Sequence, residues 1–591
     1  MVYQSNDNDS LAKYESSDIS VAQLGKGAPK RSYTLSSNVA DAHARTVAKL
    51  NAPPAPKEVN NALVYLIGIT ICMGAVAYGY DTGFFGGTIA LTSFRRDFGT
   101  LSKTPKQRDA ISANLVSLFQ GGSFFGAALQ LPITNTLGRK WSIIISNVIF
   151  IISAIVQAVA NGSVGVMMAG RFLGGLAIGV SSLVIPVYLS EFAPAPIRGR
   201  LVGFYDMGIQ VGTLGGFWIN FLLFRTFPSN HWQWRIPVLL QLAPAALLGL
   251  GMFFLPETPR FLMDKGRFDE AEAVLMRLRR LPREHEYLQW ELTQTRAQAE
   301  AEKMIRGDDS TFDLIKQLFR SRGHSYRLFL AMSLLFFKTF SGVQAVNYYS
   351  PRIFEQLGFK GTSNSLLATG VYGSVKFICT VIFGLFVVDR IGRRRPLIFG
   401  STAGALCLFF MGGYLTGAGP RPADATGTRP GDYSAIFAIF LYASIYCFGY
   451  NSVPLTLVSE IFTMRFKTVS MTFCLMWQWL CTFAVVRIMP VALTNLGGKA
   501  YFPFAAIFIT AGPFVYFLVP ETKGLPLEAM DDLFGVAEMT DAERAVLASE
   551  KGEAGAFSHV EHAGYASAAA GVARTNTVQV MAPIDEISRR V

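Results

Sequence analysis

Long apolar runs alternate with short polar segments along most of this chain. Six runs precede a long charged insert and six follow it, and most approach or exceed the roughly 20 residues that a helix needs to cross a bilayer. The runs cover residues 63–90, 110–132, 141–160, 164–190, 200–224, 235–255, 328–356, 365–388, 396–416, 434–459, 469–492 and 501–519. This pattern predicts an all-α membrane protein of twelve transmembrane helices in two six-helix halves.

The polar segments divide the chain into five predicted parts. Residues 1–60 are rich in polar residues and form a disordered cytosolic tail. Residues 61–256 and 327–520 form the two helical bundles, and the charged residues 257–326 form linker helices on the cytosolic face. Residues 521–591 form a second polar tail in the cytosol.

Composition agrees with a membrane protein. The chain has 591 residues, of which 51% are hydrophobic and 16% charged, against about 25% charged in soluble domains. Its formal net charge of +12 comes from cations in short loops and tails, which is typical of cytoplasmic loops and not of a nucleic-acid-binding surface. The cations predict that both termini of this multi-pass membrane protein lie in the cytosol, although loop 92–108 is a basic exception.

The two halves repeat each other at matching helix ends. TNTLGRK follows the second run and VDRIGRRR follows the eighth, while YLSEF and LVSEIF end the fourth and tenth. PETPRFL follows the sixth run and PETKG follows the twelfth. Three matched pairs indicate an internal duplication, which is typical of transporters that bind substrate between two halves.

These repeats resemble motifs of the sugar porter family in the major facilitator superfamily, over about residues 60–535. The resemblance rests further on GRFLGGLAIG, PVYLSEFAPAPIRGR and VNYYSP, and GYDTGFFGGTIAL and VPETKGLPLEAMDDLF make the chain similar to fungal quinate-permease-like transporters. It implies secondary active transport by alternating access, in the plasma membrane. The expected reaction is proton-coupled import of a sugar or sugar-like acid, such as a hexose, quinate or galacturonate.

Asp81 is a carboxylate within the first apolar run. An ionised side chain at this depth costs roughly 2.5–3.5 kcal/mol, so such residues are functional candidates by default. The resemblance implies that Asp81 is the proton-coupling acid and Arg171 its partner. A fixed structural ion pair is the alternative, and it would leave an uncoupled facilitative sugar transporter.

Asp206 and Lys338 stand where sugar porters typically have glutamines that touch the substrate. We expect the two side chains to face each other across the central cavity, and a Lys338 that contacts substrate would favour a carboxylate. Alternatively, Lys338 snorkels or pairs away from the cavity. Lys376 and Arg487 are further cations at helix depth with no predicted role. The candidate substrate-binding residues are Asp206, Lys338, Gln344, Asn347, Tyr349, Gln478, Trp479 and Thr482.

Charged motifs at the cytosolic helix ends resemble the ionic latches of the family, which hold those ends together in the outward-facing state. Ordinary anchoring of cytoplasmic loops by cations is the alternative. Asn135 stands where the family motif usually begins with Asp. The candidate latch residues are Arg139, Lys140, Glu191, Arg198, Asp389, Arg393, Arg394, Glu460 and Arg465.

The motifs of common enzyme sites are missing from the sequence. There is no GxxxxGK[ST] loop, HExxH or CxxC, so we expect neither an enzyme nor a cofactor or metal. The expected partners are a small polar solute, a proton and the lipid bilayer, with no nucleic acid and a monomeric chain. A sugar sensor that signals through a tail without transport is a further alternative.

Overall fold

The computed structural model describes residues 53–306, 310–359, 361–387, 391–419, 429–462 and 466–522. Within these ranges it has helices and loops and no strand. The candidate latch residues Asp389 and Arg465 and both predicted tails, except residues 53–60 and 521–522, lie outside them.

Twelve helical spans are present in the described ranges. The first six are Ala62–Ala90, Pro105–Leu137, Arg139–Ala158, Val164–Phe192, Arg198–Thr226, and Trp232–Leu240 continued by Leu242–Phe254. The other six are Arg322–Phe340 continued by Val343–Gln356, Thr362–Ile382, Arg394–Gly417, Pro430–Gly449 continued by Val453–Ile461, Lys467–Leu496, and Phe502–Leu518. The short helix Thr92–Asp97 connects the first two spans.

Their composition suits a membrane. Ten helical segments of the described chain are long and apolar enough to cross one, and the segment Lys467–Leu518 contains two spans. These segments account for eleven spans. The remaining one is the second span, Pro105–Leu137, which is more polar because it buries Gln120, Ser123 and Gln130 within the bundle. The predicted twelve-helix fold is therefore confirmed, including a span whose polarity faces protein and not lipid.

Local sequence explains where several spans begin. Thr104 caps the second span through a capping box with Gln107, and Pro105 occupies its first turn. Asn61 caps the first span by accepting a hydrogen bond from the Val64 N–H. Its side-chain amide also donates to the Leu278 carbonyl at 3.0 Å, so this cap ties the first span to the segment between the halves.

Small residues let the spans approach closely. A Cβ added to Gly175 of the fourth span would lie 1.9 Å from the Phe119 carbonyl oxygen of the second. A Cβ on Gly79 of the first span would lie equally close, 1.9 Å, to the Ile209 carbonyl oxygen of the fifth. Glycines at these contacts are therefore required by backbone packing, as is common between membrane helices.

Four helices fill the charged segment between the halves: Pro259–Asp264, Phe268–Arg279, Glu286–Arg306 and Thr311–Arg320. Arg279 forms a two-pronged ion pair with Glu291, with N···O distances of 2.6 and 2.8 Å. It also donates to the Phe192 carbonyl at the end of the fourth span. We call the end of the bundle that carries these helices the linker side, and the other end the opposite side.

The two halves meet tightly on the opposite side. There the first and seventh spans pack so closely that a Cβ on Gly86 would lie 2.0 Å from the Tyr348 carbonyl oxygen. Among the described residues, the fourth and tenth spans have no comparable packing on the linker side. The structure is thus closed between the halves at the opposite side.

Candidate functional site

Asp81 and Arg171 form an ion pair inside the first half. The Arg171 Nη1 lies 2.5 Å from Asp81 Oδ1, and the side chains are 0% (Arg171) and 1% (Asp81) exposed. The guanidinium lies 3.9 Å from the Phe85 ring centroid and 4.5 Å from that of Phe119, and its Nε donates to the Leu115 carbonyl. The two aromatic rings and the carbonyl therefore offset part of the desolvation cost of the buried guanidinium.

Tyr348 connects this pair to the seventh span. Its hydroxyl accepts a hydrogen bond from Gln120 Nε2 at 2.9 Å and donates to Thr82 Oγ1 at 3.5 Å. Thr82 directly follows Asp81 in the chain. A movement of the seventh span would therefore break polar contacts made one residue from the buried carboxylate.

Broken helices surround the centre of the second half. The seventh span is interrupted at Ser341 and Gly342, where glycine adopts a left-handed φ of 88°. The carbonyl of Ser341, freed by this break, accepts a hydrogen bond from the Tyr442 hydroxyl at 2.8 Å. Discontinuous helices of this kind form substrate sites in many secondary transporters, and nothing in the apolar pattern had predicted the break.

Asp206 and Lys338 come from opposite halves and lie within electrostatic range of each other. Both side chains are half-buried although they lie inside their spans. No nitrogen of Lys338 lies within 4.0 Å of an Asp206 oxygen in the described structure, and Ser452 of the tenth span lies beside Asp206. The two groups therefore lie near each other without forming a close ion pair.

Lys376 of the eighth span belongs to a polar network in the second half. Its ammonium donates to Asn347 Oδ1 at 3.3 Å, and the Tyr372 hydroxyl donates to the same oxygen at 3.2 Å. The Asn347 amide donates in turn to Gln344 Oε1 at 3.4 Å. Lys376 is 4% exposed and lies within electrostatic range of Lys338, so two cations occur near two predicted substrate contacts.

The eleventh span supplies the other predicted contacts. Gln478 Oε1 and Trp479 Nε1 are buried without a hydrogen-bond partner among the described residues. The Trp479 ring packs edge-on against Tyr78 of the first half at 5.6 Å. Thr482 is satisfied by the Gln478 carbonyl of its own helix. Unpaired polar atoms of this kind are candidates for hydrogen bonds to a solute.

Tyr349 and Arg487 lie farther toward the opposite side. Tyr349 has non-helical backbone angles, φ −116° and ψ 15°, and its hydroxyl donates to the Val486 carbonyl at 3.1 Å. Arg487 lies close enough to interact electrostatically with Tyr349. Tyr349 therefore braces the seventh span against the eleventh instead of pointing to the polar network around Asn347.

On the linker side of the first half, an ion pair joins helix ends and a carboxylate caps the third span. Arg139 Nη2 lies 2.9 Å from Glu191 Oε1, and Glu191 Oε2 accepts from the Thr258 hydroxyl at 2.7 Å. Glu257 accepts hydrogen bonds from the backbone N–H groups of Arg139 and Lys140 at 3.0–3.2 Å. A carboxylate thus occupies the N-terminus of the third span, where the helix dipole favours an anion.

The second half repeats this arrangement residue for residue. Arg393 Nη2 lies 3.2 Å from Glu460 Oε1, and the Thr522 hydroxyl donates to Glu460 Oε2 at 2.6 Å. Glu521 accepts from the N–H groups of Arg393 and Arg394 at 3.0–3.2 Å. Each cluster therefore joins three helix ends within one half, and neither ion pair crosses between the halves.

The glutamates of the two PET motifs were missed as site residues by sequence reasoning. Their repetition in both halves was the available signal, but it had been used only as evidence of duplication. Burial raises the pKa of the Glu257 carboxyl, and the N–H groups of Thr258 and Lys140 oppose that shift. A Cβ on Gly138 or Gly392 would come within 2.4 or 2.8 Å of the Glu257 or Glu521 carboxylate, so these glycines belong to the same clusters.

The remaining candidate latch residues make other contacts. The Lys140 ammonium donates to the Phe253 carbonyl at 3.5 Å. Arg198 lies beside Glu291 and Arg279 of the linker. The Arg394 guanidinium donates to the Tyr516 carbonyl and lies 5.0 Å from that ring.

On the opposite side an ion pair does cross between the halves. Arg352 of the seventh span binds both oxygens of Asp109 in the second span, at 2.6 and 3.3 Å. Thr494 of the eleventh span donates to Asp109 and accepts from Arg352. This three-residue cluster stabilises the closed opposite side.

Comparison with known proteins decides the family. The sequence model described as "Sugar (and other) transporter" matches residues 67–534. The chain belongs to this transporter family. It is 38% identical over 520 residues to a probable quinate permease of Aspergillus niger, an alignment covering 87% of this chain and 95% of the relative. It is also 38% identical over 484 residues to the quinate permease of Emericella nidulans, covering 81% of this chain and 90% of that one.

Solved structures of other transporters share the fold of this chain. A structure of the proton:xylose symporter XylE bound to 6-bromo-6-deoxy-D-glucose aligns with a TM-score of 0.66 and 24% identity, covering 80% of this chain and 99% of that one. XylE from E. coli in a partially occluded inward open conformation also gives a TM-score of 0.66, at 23% identity, covering 79% of this chain and 100% of that one. The predicted major facilitator fold and sugar porter family are confirmed.

Proposed function

We propose that this transporter imports a cyclic polyhydroxy carboxylate, of the quinate or hexuronate class, together with a proton. The linker side faces the cytosol, and the opposite side faces the medium across the plasma membrane. The observation that carries the proposal is the pair of lysines, Lys338 and Lys376, near the centre of the second half. Quinate permeases among the relatives agree with this class of solute.

The charge balance around these lysines favours an anion. Lys338 has no hydrogen-bond or ion-pair partner for its ammonium within the described residues, and the Lys376 ammonium bonds only the neutral Asn347. Asp206 offsets one of the two cations. A bound carboxylate would offset the other, and charge-assisted hydrogen bonds of this kind contribute about 1.5–3 kcal/mol each.

The rest of the site offers groups for hydroxyls. Gln344, Asn347 and Gln478 supply amide donors and acceptors, and Trp479 supplies an indole N–H and an apolar face. A ring with several hydroxyls would satisfy the unpaired atoms of Gln478 and Trp479. Asp206, on the other half, would accept from a hydroxyl and would join the halves around the solute.

Asp81 is the group that would carry the proton. An ionised Asp81 would hold the Arg171 guanidinium in the observed pair, and protonation would release the guanidinium from its anionic partner. Tyr348 and Thr82 would transmit that change to the seventh span. A carboxylate solute moved with one proton crosses as a neutral pair, so the membrane potential would not oppose import of the anion.

An uptake panel tests the proposal. Cells that lack their own transporters express the full chain, and initial uptake of radiolabelled quinate, galacturonate, glucose and xylose is measured with and without a protonophore. We expect accumulation of quinate or galacturonate that the protonophore abolishes. Uptake of only the neutral sugars would contradict the substrate class, and uptake that ignores the protonophore would contradict coupling.

An uncoupled facilitator is the second candidate, favoured by one observation. Asp81 and Arg171 are both sealed from solvent in this state, as a permanent structural pair would be. In that case the panel would show equilibration of the solute without accumulation.

A further inference from the structure

A second cavity lies between the halves on the opposite side, away from the central lysines. It has a volume of about 230 Å³ and is lined by Arg95, Arg108, Arg352 and Glu355, with Leu115 and Tyr348 among its lining residues. We call it the vestibule. The volume is below the ~300–1,000 Å³ of pockets that enclose drug-sized ligands, so it suits a small solute.

Two of its arginines form no ion pair with any acidic residue in the described part of the chain. Arg95 is half-buried and donates only to the Ile89 carbonyl, at 3.4 Å, and Arg108 is half-buried with no side-chain partner in the described structure. Neither forms an ion pair with Glu355, although Glu355 and Arg95 lie within electrostatic range. Burial lowers the pKa of the Arg95 guanidinium, because desolvation penalises its charge.

The third arginine, Arg352, already holds the halves together through Asp109. With that pair counted as neutral, Arg95 and Arg108 outnumber Glu355, and the vestibule carries an excess of positive charge. These cations also account for part of the basic loop 92–108, which departs from the charge pattern of the other loops on this side.

Resting on the proposed function, we propose that the vestibule is an outer binding site that collects the substrate carboxylate from the medium. A cleft of one charge between low-dielectric walls raises the local concentration of its counter-ion and its rate of capture. The floor of the vestibule includes Leu115, whose carbonyl binds Arg171, and Tyr348, whose hydroxyl contacts Thr82. A carboxylate held there would also compete with Asp109 for Arg352 and so weaken the closed opposite side.

Variants of the two unpaired arginines test this site in cells expressing the full chain. Arg95→Gln with Arg108→Gln should raise the KM for quinate about tenfold at low ionic strength, in line with electrostatic steering, with little change in maximal rate. Added salt should raise the KM of the unmodified protein and leave that of the double variant unchanged. Lys103→Gln with Lys106→Gln is the matched control, because these exposed lysines belong to the same loop and do not line the vestibule.

Three outcomes would overturn the site. They are an unchanged KM for quinate, an equal rise in the lysine control, and an equal rise in the KM for a neutral sugar. If the unmodified protein transports glucose but not quinate, the proposed function fails while the vestibule is still tested. Quinate should then inhibit glucose uptake from the medium, and the double arginine variant should relieve that inhibition; equal inhibition of both proteins would refute the site.

Discussion

Arg352 binds both carboxylate oxygens of Asp109 and thereby ties the seventh span of one half to the second span of the other. Both ion pairs of the linker-side clusters, in contrast, stay within one half. Within the described residues, the side chains that resemble family latches therefore stiffen each half in this state. The Arg352–Asp109 pair, which does cross between the halves, belongs to no motif recognised in the sequence.

Asp109→Asn should favour opening of the opposite side. Losing a charge-assisted pair costs about 1.5–3 kcal/mol, which corresponds to a shift of about tenfold or more in the ratio of open to closed states. A cysteine introduced at Leu115 should then react at least several times faster with a membrane-impermeant thiol reagent added to the medium. The background rate is that of the same variant without the new cysteine.

Asp97→Asn is the control for this experiment. Asp97 lies on the same side but accepts a hydrogen bond from Trp234 of its own half, so its loss should leave the labelling rate unchanged. Equal labelling of the Asp109→Asn protein and its parent would show that the Arg352 pair does not govern closure.

Lys376→Gln should weaken quinate uptake specifically. Removing one of two central cations takes away about 1.5–3 kcal/mol of carboxylate binding, so the KM for quinate should rise roughly tenfold to a hundredfold. The KM for glucose should change far less, because a glutamine still donates to Asn347. Lys338→Gln should act in the same direction, and unchanged selectivity between quinate and glucose in both variants would refute the carboxylate site.

Glu521→Gln should destabilise the second half. The substitution replaces a carboxylate that accepts hydrogen bonds from the backbone N–H groups of Arg393, Arg394 and Thr522 at a helix N-terminus, and the expected loss is about 1–3 kcal/mol. Thermal unfolding of the purified protein in detergent, followed by tryptophan fluorescence, should begin several degrees lower. Glu300→Gln, which removes an exposed linker ion pair, should leave the unfolding temperature nearly unchanged.

The sequence predicted the spans well because lipid imposes a simple rule. A run of about twenty apolar residues crosses lipid as a helix, because its backbone groups must be bonded internally, so twelve runs imply twelve helical spans. The structure brings Arg139 to Glu191 and Arg393 to Glu460, because equivalent helix ends meet in each half. The role of Glu257 and Glu521 could have been read from the same repeats, because both follow a span and precede a threonine.

Relations between the halves were harder to predict. Asp206 and Lys338 lie within electrostatic range without a close contact, and their separation depends on the rotation and depth of two helices that the apolar pattern leaves free. The Arg352–Asp109 pair likewise depends on how the halves are arranged, and the break at Ser341 lies inside an apolar run. A hydropathy pattern is the same in every state of the transport cycle and therefore carries no signal for them.

The Asp81→Asn variant should still exchange quinate across the membrane but should no longer accumulate it. An amide cannot release or take up the proton, but it keeps the size of the side chain next to Arg171. We expect exchange of external labelled quinate for internal quinate to persist at a rate within about tenfold of the parent, while a pH gradient no longer drives accumulation. Loss of exchange together with accumulation would instead assign Asp81 a structural role.

Proton movement driven by quinate in liposomes containing the purified protein tests the central claim most directly. With a pH-sensitive dye inside and quinate added outside at neutral pH, the account predicts acidification of the lumen in proportion to quinate uptake. Asp81→Asn liposomes should show none, and glucose should produce far less. Quinate entry without acidification by the unmodified protein, or acidification that persists in Asp81→Asn, would contradict the account.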